Sequence, residues 1–312
     1  VNKEADMMIG KICGTGSSIP VKIMDNDDLS NMVDTNDAWI RERTGVEKRH
    51  IAESESTVSM AVEAGRRALA QTGIRPEELD MIVVSTMSPD AVLPCTACEV
   101  QKAIGAEGAV CFDLQAACTG FVFAYNTAQA YIQSNMCRTV LLIGSERLSR
   151  LVDWTDRGTC ILFGDGAGAA VLKAAEGRAY LPVSHSDGKK GEALTCDRYI
   201  HMDGRAVFQF AVTRVPEVIR EILTKNELIM DDVDYFVLHQ ANRRIVEAVA
   251  KRLRQPIEKF PMNLQEYGNT SSASIPILLD EMNRSGKLKK GQKLVVAGFG
   301  AGLSWGASIV EW

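Results

Sequence analysis

No run of 18 or more apolar residues occurs in the 312 residues, so the sequence offers no membrane-spanning helix. Nor is there a Pro/Ser-rich linker or a low-complexity tract, and with 46% hydrophobic and 24% charged residues the chain reads as globular rather than disordered or fibrous. Positive charge is in deficit. Lys and Arg number 35 against 40 Asp and Glu, a net charge of −5 that speaks against nucleic acid as a partner. Only four histidines are present, and a single CxxC is the one Cys/His grouping with metal-like spacing, so no metal or other cofactor is expected. The first six residues lack both Met and the apolar core of a signal peptide; they read as a tag or processing remnant before a start at Met7 or Met8. Eight scattered cysteines without a secretion signal then read as reduced thiols of a cytoplasmic protein.

Short apolar runs alternate with helical patterns. Met81–Thr86, Thr139–Ile143, Ala169–Leu172, Tyr235–Leu238, Lys293–Ala297 and Ala307–Val310 read as buried strands, and 58–71 and 212–224 as helices. That order predicts α/β layers. The pattern also repeats. Arg75–Asp80 leads into Met81-Ile-Val-Val, and 154 residues later Met230–Asp234 leads into Tyr235-Phe-Val-Leu. Thr139–Gly144 and Lys293–Gly298 match at the same offset, whereas Gly164–Leu172 and Gly302–Val310 match at 138. Three ordered pairs favour a duplicated α/β half, divided as 1–178 and 179–312, with a site at the pseudo-dyad drawing on both.

Cys118 falls where a helix should begin, among Ala116, Ala117 and Gly120. Free N–H groups and the helix dipole there favour a thiolate, which makes Cys118 a candidate nucleophile; a buried structural thiol is the competing reading. His239 ends the strand at Tyr235–Leu238, on the sheet edge where α/β proteins place chemistry, or is simply a satisfied turn residue. Asn269 precedes Thr270-Ser271-Ser272 as an ordinary cap would, but it opens the repeat-mate of the Cys118 helix. Gly302-x-Ser304-x-Gly306 imitates a nucleophile elbow, yet no helix, acid or histidine follows it, so a hydrolase is rejected. Gly164-x-Gly166-x-Gly168 runs into a strand rather than a helix, which rejects a dinucleotide loop. Cys95-x-x-Cys98 has redox spacing, and a redox or metal-binding protein built on it is the rival from another class. Arg243, Arg244, Lys251, Arg252 and Arg254 share a helix whose other face is apolar; they form a solvated face or a surface for an acidic partner or phosphate.

Six segments in register, Asp37-Ala-Trp39-Ile-Arg-Glu-Arg43-Thr-Gly, Ala117-Cys118-Thr-Gly-Phe, Thr155-Asp-Arg157-Gly-Thr, Phe163-Gly-Asp-Gly-Ala-Gly, His239-Gln-Ala-Asn and Gly268-Asn269-Thr-Ser, resemble the β-ketoacyl-acyl-carrier-protein synthase III family of thiolase-like condensing enzymes. The resemblance implies an α/β, five-layered αβαβα fold of two duplicated halves, a homodimer, and an acyltransferase that condenses a short acyl-CoA with malonyl-acyl-carrier-protein at the start of fatty-acid synthesis. A condensing enzyme of secondary metabolism is the nearest rival. The resemblance makes Cys118 the acylated nucleophile and gives malonyl decarboxylation to His239 and Asn269. It implies that Trp39 and Arg157 sandwich the CoA adenine, with Arg43, Gly204, Arg205, Ala241 and Arg244 along the CoA arm. Leu148, Leu162, Phe163 and Phe299 would line the acyl pocket with Leu93 from across the dimer, and the N–H groups of Cys118 and Ala301 would form an oxyanion hole. Arg244, Lys251 and Arg252 would receive the carrier protein. Leu93 and Arg205 stand where some members of the family have Phe and Asn, and Ala301 where many have Gly. Leu93 therefore implies room for branched or four- to five-carbon starters.

The chemistry suits these residue types. A thiolate attacks a thioester well and yields an acyl-enzyme. Loss of carbon dioxide from malonate leaves an enolate, for which neutral His and an Asn amide are donors without repulsion. Trp suits stacking on a flat base, and Arg suits phosphate.

Overall fold

The computed structural model describes residues 7–312; the expected remnant at 1–6 lies outside the described residues. Five strands form the first sheet: β1 (Met7–Ser18), β2 (Met81–Ser85), β3 (Val110–Leu114), β4 (Thr139–Glu146) and β5 (Gly166–Gly177), in the order β1-β5-β4-β2-β3. The second sheet holds β6 (Val183–Ser186), β7 (Tyr235–Leu238), β8 (Lys293–Gly300) and β9 (Ser304–Glu311), in the order β6-β9-β8-β7. Both sheets contain a parallel pair, β2 with β4 in the first and β7 with β8 in the second, and continue from β4 and β8 into antiparallel strands on one side.

The repeat is written in the register. Met81 lies opposite Val140 and Tyr235 opposite Leu294, each shifted by 154. Leu142 pairs with Ala170 and Val296 with Ser308, the latter partners shifted by 138. Among the described residues, the second sheet has no counterpart of β3.

Seven helices matter for the site: α1 (Asp37–Thr44), α2 (Thr57–Ala70), α3 (Thr96–Ile104), α4 (Gly120–Gln133), α5 (Gly204–Lys225), α6 (Arg243–Leu253) and α7 (Ser274–Arg284). Helices α2 and α3 cover the outer face of the first sheet, α4 and α7 lie between the sheets, and α5 with α6 covers the second. These are five layers, αβαβα. Strand β4 shows why its sequence is a continuous apolar run. Leu141 and Ile143 pack with the outer helices while Val140 and Leu142 face the central pair. Burying each such side chain contributes about 1.5–3 kcal/mol.

The two halves touch through glycines. A Cβ on Gly144 of β4 would sit 2.8 Å from the Ser272 carbonyl carbon. Its repeat-mate Gly298 of β8 would meet the Thr119 Cα at 3.0 Å. Each central strand thus presses against the turn that opens the other half's central helix, and only glycine permits it.

Candidate active site

Strand β3 ends at Leu114, and the chain turns through Ala117, whose φ is +44°, into a 3-10 turn at Ala117–Thr119 ahead of α4. That turn carries Cys118. Strand β8 runs beside it: a Cβ on Gly300 would lie 2.8 Å from the Cys118 Cβ and 3.2 Å from its N. Cys118 is buried, and this corrects the sequence expectation of a thiolate at a helix start. Burial pushes the thiol up to about 12 and Glu146 pushes the same way, against the pull of Ser271 and of the residue's own N–H. The resting group is a thiol, because desolvation outweighs the few dipoles aimed at it.

His239 follows β7, its N–H donating to Ala297 O at 2.9 Å. The ring is buried edge-on to Phe299, with centroids 5.2 Å apart. Burial lowers its pKa to about 3, so the imidazole is neutral. Its Nδ1 lies 2.7 Å from Ser274 Oγ, which accepts the Gln240 N–H at 3.3 Å. The Ser274 hydroxyl proton is therefore free to point at Nδ1, which leaves the ring proton on Nε2. Nε2 is buried and has no partner among the described residues.

Asn269 is gripped on both sides: its N–H donates to Leu162 O at 2.8 Å, and its carbonyl accepts from Gly164 N at 3.1 Å. Its Oδ1 accepts the Ser271 N–H at 2.8 Å, so the side chain closes a local turn rather than capping α7, and its amide N–H groups are left over. Gly268, with φ +65°, allows this close approach to Leu162.

Cys118, His239 and Asn269 meet in one cavity of about 470 Å³. Leu148, Leu162, Phe163, Phe299 and Ala301 line it as expected, and Arg43, Gly204, Arg205, Ala241 and Arg244 line its outer part. Asp165 holds the Leu148 side of the cavity: it accepts from Ser149 N, Ser149 Oγ and Ala52 N at 2.6–2.8 Å. Sequence reading missed Met87, Phe208 and Met202 in the wall, which lie on a loop, a helix face and a short hairpin without a motif of their own. It also missed Glu146, concealed at the end of an apolar strand. This carboxyl is fully buried and accepts from Ser88 Oγ, Ser272 Oγ, Met87 N and Thr86 Oγ1 at 2.6–3.2 Å.

Two expected contacts differ. The Arg157 guanidinium carbon lies 4.7 Å from the Trp39 ring centroid, with Arg43 at 5.7 Å. A base between Trp39 and Arg157 needs about 7 Å, two stacking distances, so the sandwich is shut and Arg157 stacks on the indole itself. Leu93, expected in the pocket from across a dimer, lies away from its own chain's cavity wall and is 83% exposed beside Val92 at 88%. Arg252 donates from Nη1 to Val212 O of α5 at 2.7 Å and so leans on its own protein, whereas Lys251 is exposed and Arg244 stacks over Phe208 at 5.3 Å.

The sequence model described as 3-oxoacyl-[acyl-carrier-protein (ACP)] synthase III matches residues 112–188, and the C-terminal one of that name matches 223–312. The chain is 46% identical to a β-ketoacyl-[acyl-carrier-protein] synthase III of Clostridium acetobutylicum, over 97% of this chain and 98% of that protein. The solved 3-oxoacyl-[acyl-carrier-protein] synthase III of Aquifex aeolicus superposes with a TM-score of 0.95 at 43% identity, covering 97% of this chain and all of that one. A priming β-ketosynthase from the R1128 polyketide pathway superposes at 0.94 with 35% identity, covering 99% of this chain and 98% of that one.

Proposed function

The chain belongs to the 3-oxoacyl-[acyl-carrier-protein] synthase III family of thiolase-like condensing enzymes, and from that premise we propose how its own residues divide the work. It is an acyltransferase. It condenses an acyl-CoA starter with malonyl-acyl-carrier-protein and so initiates fatty-acid synthesis.

In the first half-reaction the Cys118 sulfur attacks the starter's thioester carbonyl. The C–S bond to CoA breaks, and the thiol proton leaves on the CoA sulfur. The developing oxyanion faces the N–H groups of Cys118 and Ala301. In the second, malonyl thioester enters and its carbonyl oxygen takes hydrogen bonds from His239 Nε2–H and the Asn269 amide. Carbon dioxide departs, and the carbanion attacks the acyl-Cys118 carbonyl and expels the Cys118 thiolate, which regains a proton. The observation that carries this reading is the orientation of two buried donors. His239 has Nδ1 engaged by Ser274 and Nε2 free, and Asn269 has Oδ1 engaged by Ser271 N and its amide free.

Around this centre, the starter's acyl chain lies against Leu148, Leu162, Phe163 and Phe299. The CoA arm follows Arg43, Gly204, Arg205 and Ala241, and the adenine reaches Trp39 only after Arg157 swings off the indole. Arg244 and Lys251 face the acidic carrier protein. The exposed Val92–Leu93 segment belongs to a homodimer contact and lends Leu93 to the partner's acyl pocket. The chain divides at 178/179 into a half with the nucleophile and a half with the two donors. It works in the cytoplasm without a cofactor.

His239→Ala and Asn269→Ala test the division of labour. Each should still form the acyl-enzyme from acetyl-CoA in a single turnover and yet release labelled carbon dioxide from malonyl thioester on the order of 10²–10³ more slowly. If both acylate as poorly as Cys118→Ser, these residues activate the thiol instead.

A further inference from the structure

Outside the cavity, one group of reactive side chains has no part in the condensation. Cys95 is the N-cap residue of α3, Cys98 sits in that helix's first turn, and their sulfurs lie 3.4 Å apart. Both are partly exposed. Cys111 on β3 is the third thiol of the cluster, next to Cys98; burial and the two neighbouring sulfurs push it up to about 12. Asp113 on the same strand accepts the Thr96 and Ala97 N–H groups at 2.8 Å each, which pins the start of α3 against β3 and fixes both sulfurs relative to it. Among the described residues no set of three His, Cys, Asp or Glu side chains is arranged to hold a metal ion. The arrangement therefore favours thiol chemistry.

We propose that Cys95 and Cys98 form a redox-active dithiol that exchanges with small-molecule disulfides, a modification site separate from Cys118. A disulfide needs its sulfurs about 2 Å apart, so closure asks for a shift of roughly 1.4 Å within one helical turn. Cys95, at the helix N-terminus, is the attacking sulfur. It bonds to one sulfur of the incoming disulfide, whose S–S bond breaks and releases one small thiol. Cys98 then attacks the Cys95 sulfur of the mixed disulfide, gives up its proton and expels the second small thiol. Two protein thiols are oxidised and one external disulfide is reduced to two thiols. The Cys98 proton is held by its contact with Cys95, by burial and by the charges of Cys95 and Asp113, which fits its role as the second sulfur to react. Cys111 is partly exposed like its neighbours, but its thiol holds its proton more tightly, so it stays reduced. The site lies at the base of the exposed Val92–Leu93 segment, and the proposal stands on these contacts and not on the condensing activity.

The test uses the full-length protein, fully reduced and then equilibrated with graded ratios of oxidised to reduced glutathione. Acid quenching, alkylation with iodoacetamide and peptide mass mapping follow. Cys95 and Cys98 should lose alkylation together, with an intact mass lower by two hydrogens, while Cys118 still accepts an acyl group from acetyl-CoA. Cys98→Ser should trap glutathione as a mixed disulfide on Cys95, and retained acylation of Cys118 in that variant reports an intact fold. Glutathione trapped first on Cys111 or Cys118, or a Cys95 and Cys98 pair that stays fully alkylatable under oxidised glutathione alone, would overturn the proposal.

Discussion

The two halves build the same turn twice and use it for chemistry once. At the shared offset, Cys118 corresponds to Ser272, Gly300 to Glu146, His239 to Ser85, Ser274 to Gly120 and Asn269 to Gln115. Ala117 and Ser271, both non-glycine residues, hold the same left-handed φ, +44° and +49°. Opposite Cys118 the strand offers the bare backbone of Gly300, which lets Cys118 press close against it. Opposite Ser272 it offers the Glu146 carboxyl, which receives the serine's hydrogen bond. Ser85 occupies the histidine's place, and Gly120 makes space for its hydroxyl where Ser274 bonds the ring. Duplication supplies the scaffold, and a handful of substitutions decide which copy is a site and which is a clamp.

The sharpest way to break the contrast is to make the working copy resemble the silent one. Cys118→Ser should lose the acyl adduct altogether when intact mass is read after incubation with acetyl-CoA. Gly300→Ala places a carbon 2.8 Å from the Cys118 Cβ and 3.2 Å from its N. We expect acylation to slow on the order of 10²-fold, as misplacement by about 1 Å does, with a folding cost of about 1–3 kcal/mol visible as a lower melting temperature. Ser274→Ala frees the His239 tautomer. Carbon dioxide release should slow about tenfold, the rate equivalent of the roughly 1.4 kcal/mol of one buried hydrogen bond, while acylation is unchanged.

The smallest effects separate the halves by pH. Burial lowers the His239 pKa to about 3 from an ordinary 6.5, so between those values the unfolded chain binds the extra proton and stability falls as pH drops. Burial raises the Glu146 pKa, so the unfolded chain loses its proton first and stability falls as pH climbs above about 4.5. Denaturant midpoints measured across pH should show His239→Gln flattening the loss between pH 6.5 and 3. Glu146→Gln should flatten the loss above pH 4.5. A variant whose midpoint tracks the parent at every pH removes that residue from the account.

Much of this was legible beforehand because apolar runs and repeats are direct records of burial. Tyr235–Leu238 is a strand over those four residues, and the offsets of 154 and 138 return as strand register. Strand β1 was not legible. Its Gly14 and Gly16 interrupt any alternation, and they are there because α2 passes so close that a Cβ on Gly14 would lie 2.5 Å from Ala68 O. The three positions that meet in the cavity were readable as motifs, but the state of Cys118 was not, since desolvation depends on what the other half lays over it. The closed Trp39–Arg157 stack was equally hidden, because two residues suited to a base between them are also suited to each other. Glu146 carries no local signal; only its alignment with Gly300 gives it meaning.

The reciprocal seating of Gly144 and Gly298 has a consequence for how the molecule opens. Each half's central strand is wedged on a turn of the other, so neither sheet can detach its middle without dislodging the opposite helix start. Local opening is thereby confined to the periphery, to the α1 region, the 194–202 hairpin and the edge strands. In hydrogen exchange the amides of β4 and β8 should therefore open only when both halves come apart together. The slowest-exchanging protons should form one class shared across the pseudo-dyad, and the two copies should melt as a single cooperative unit.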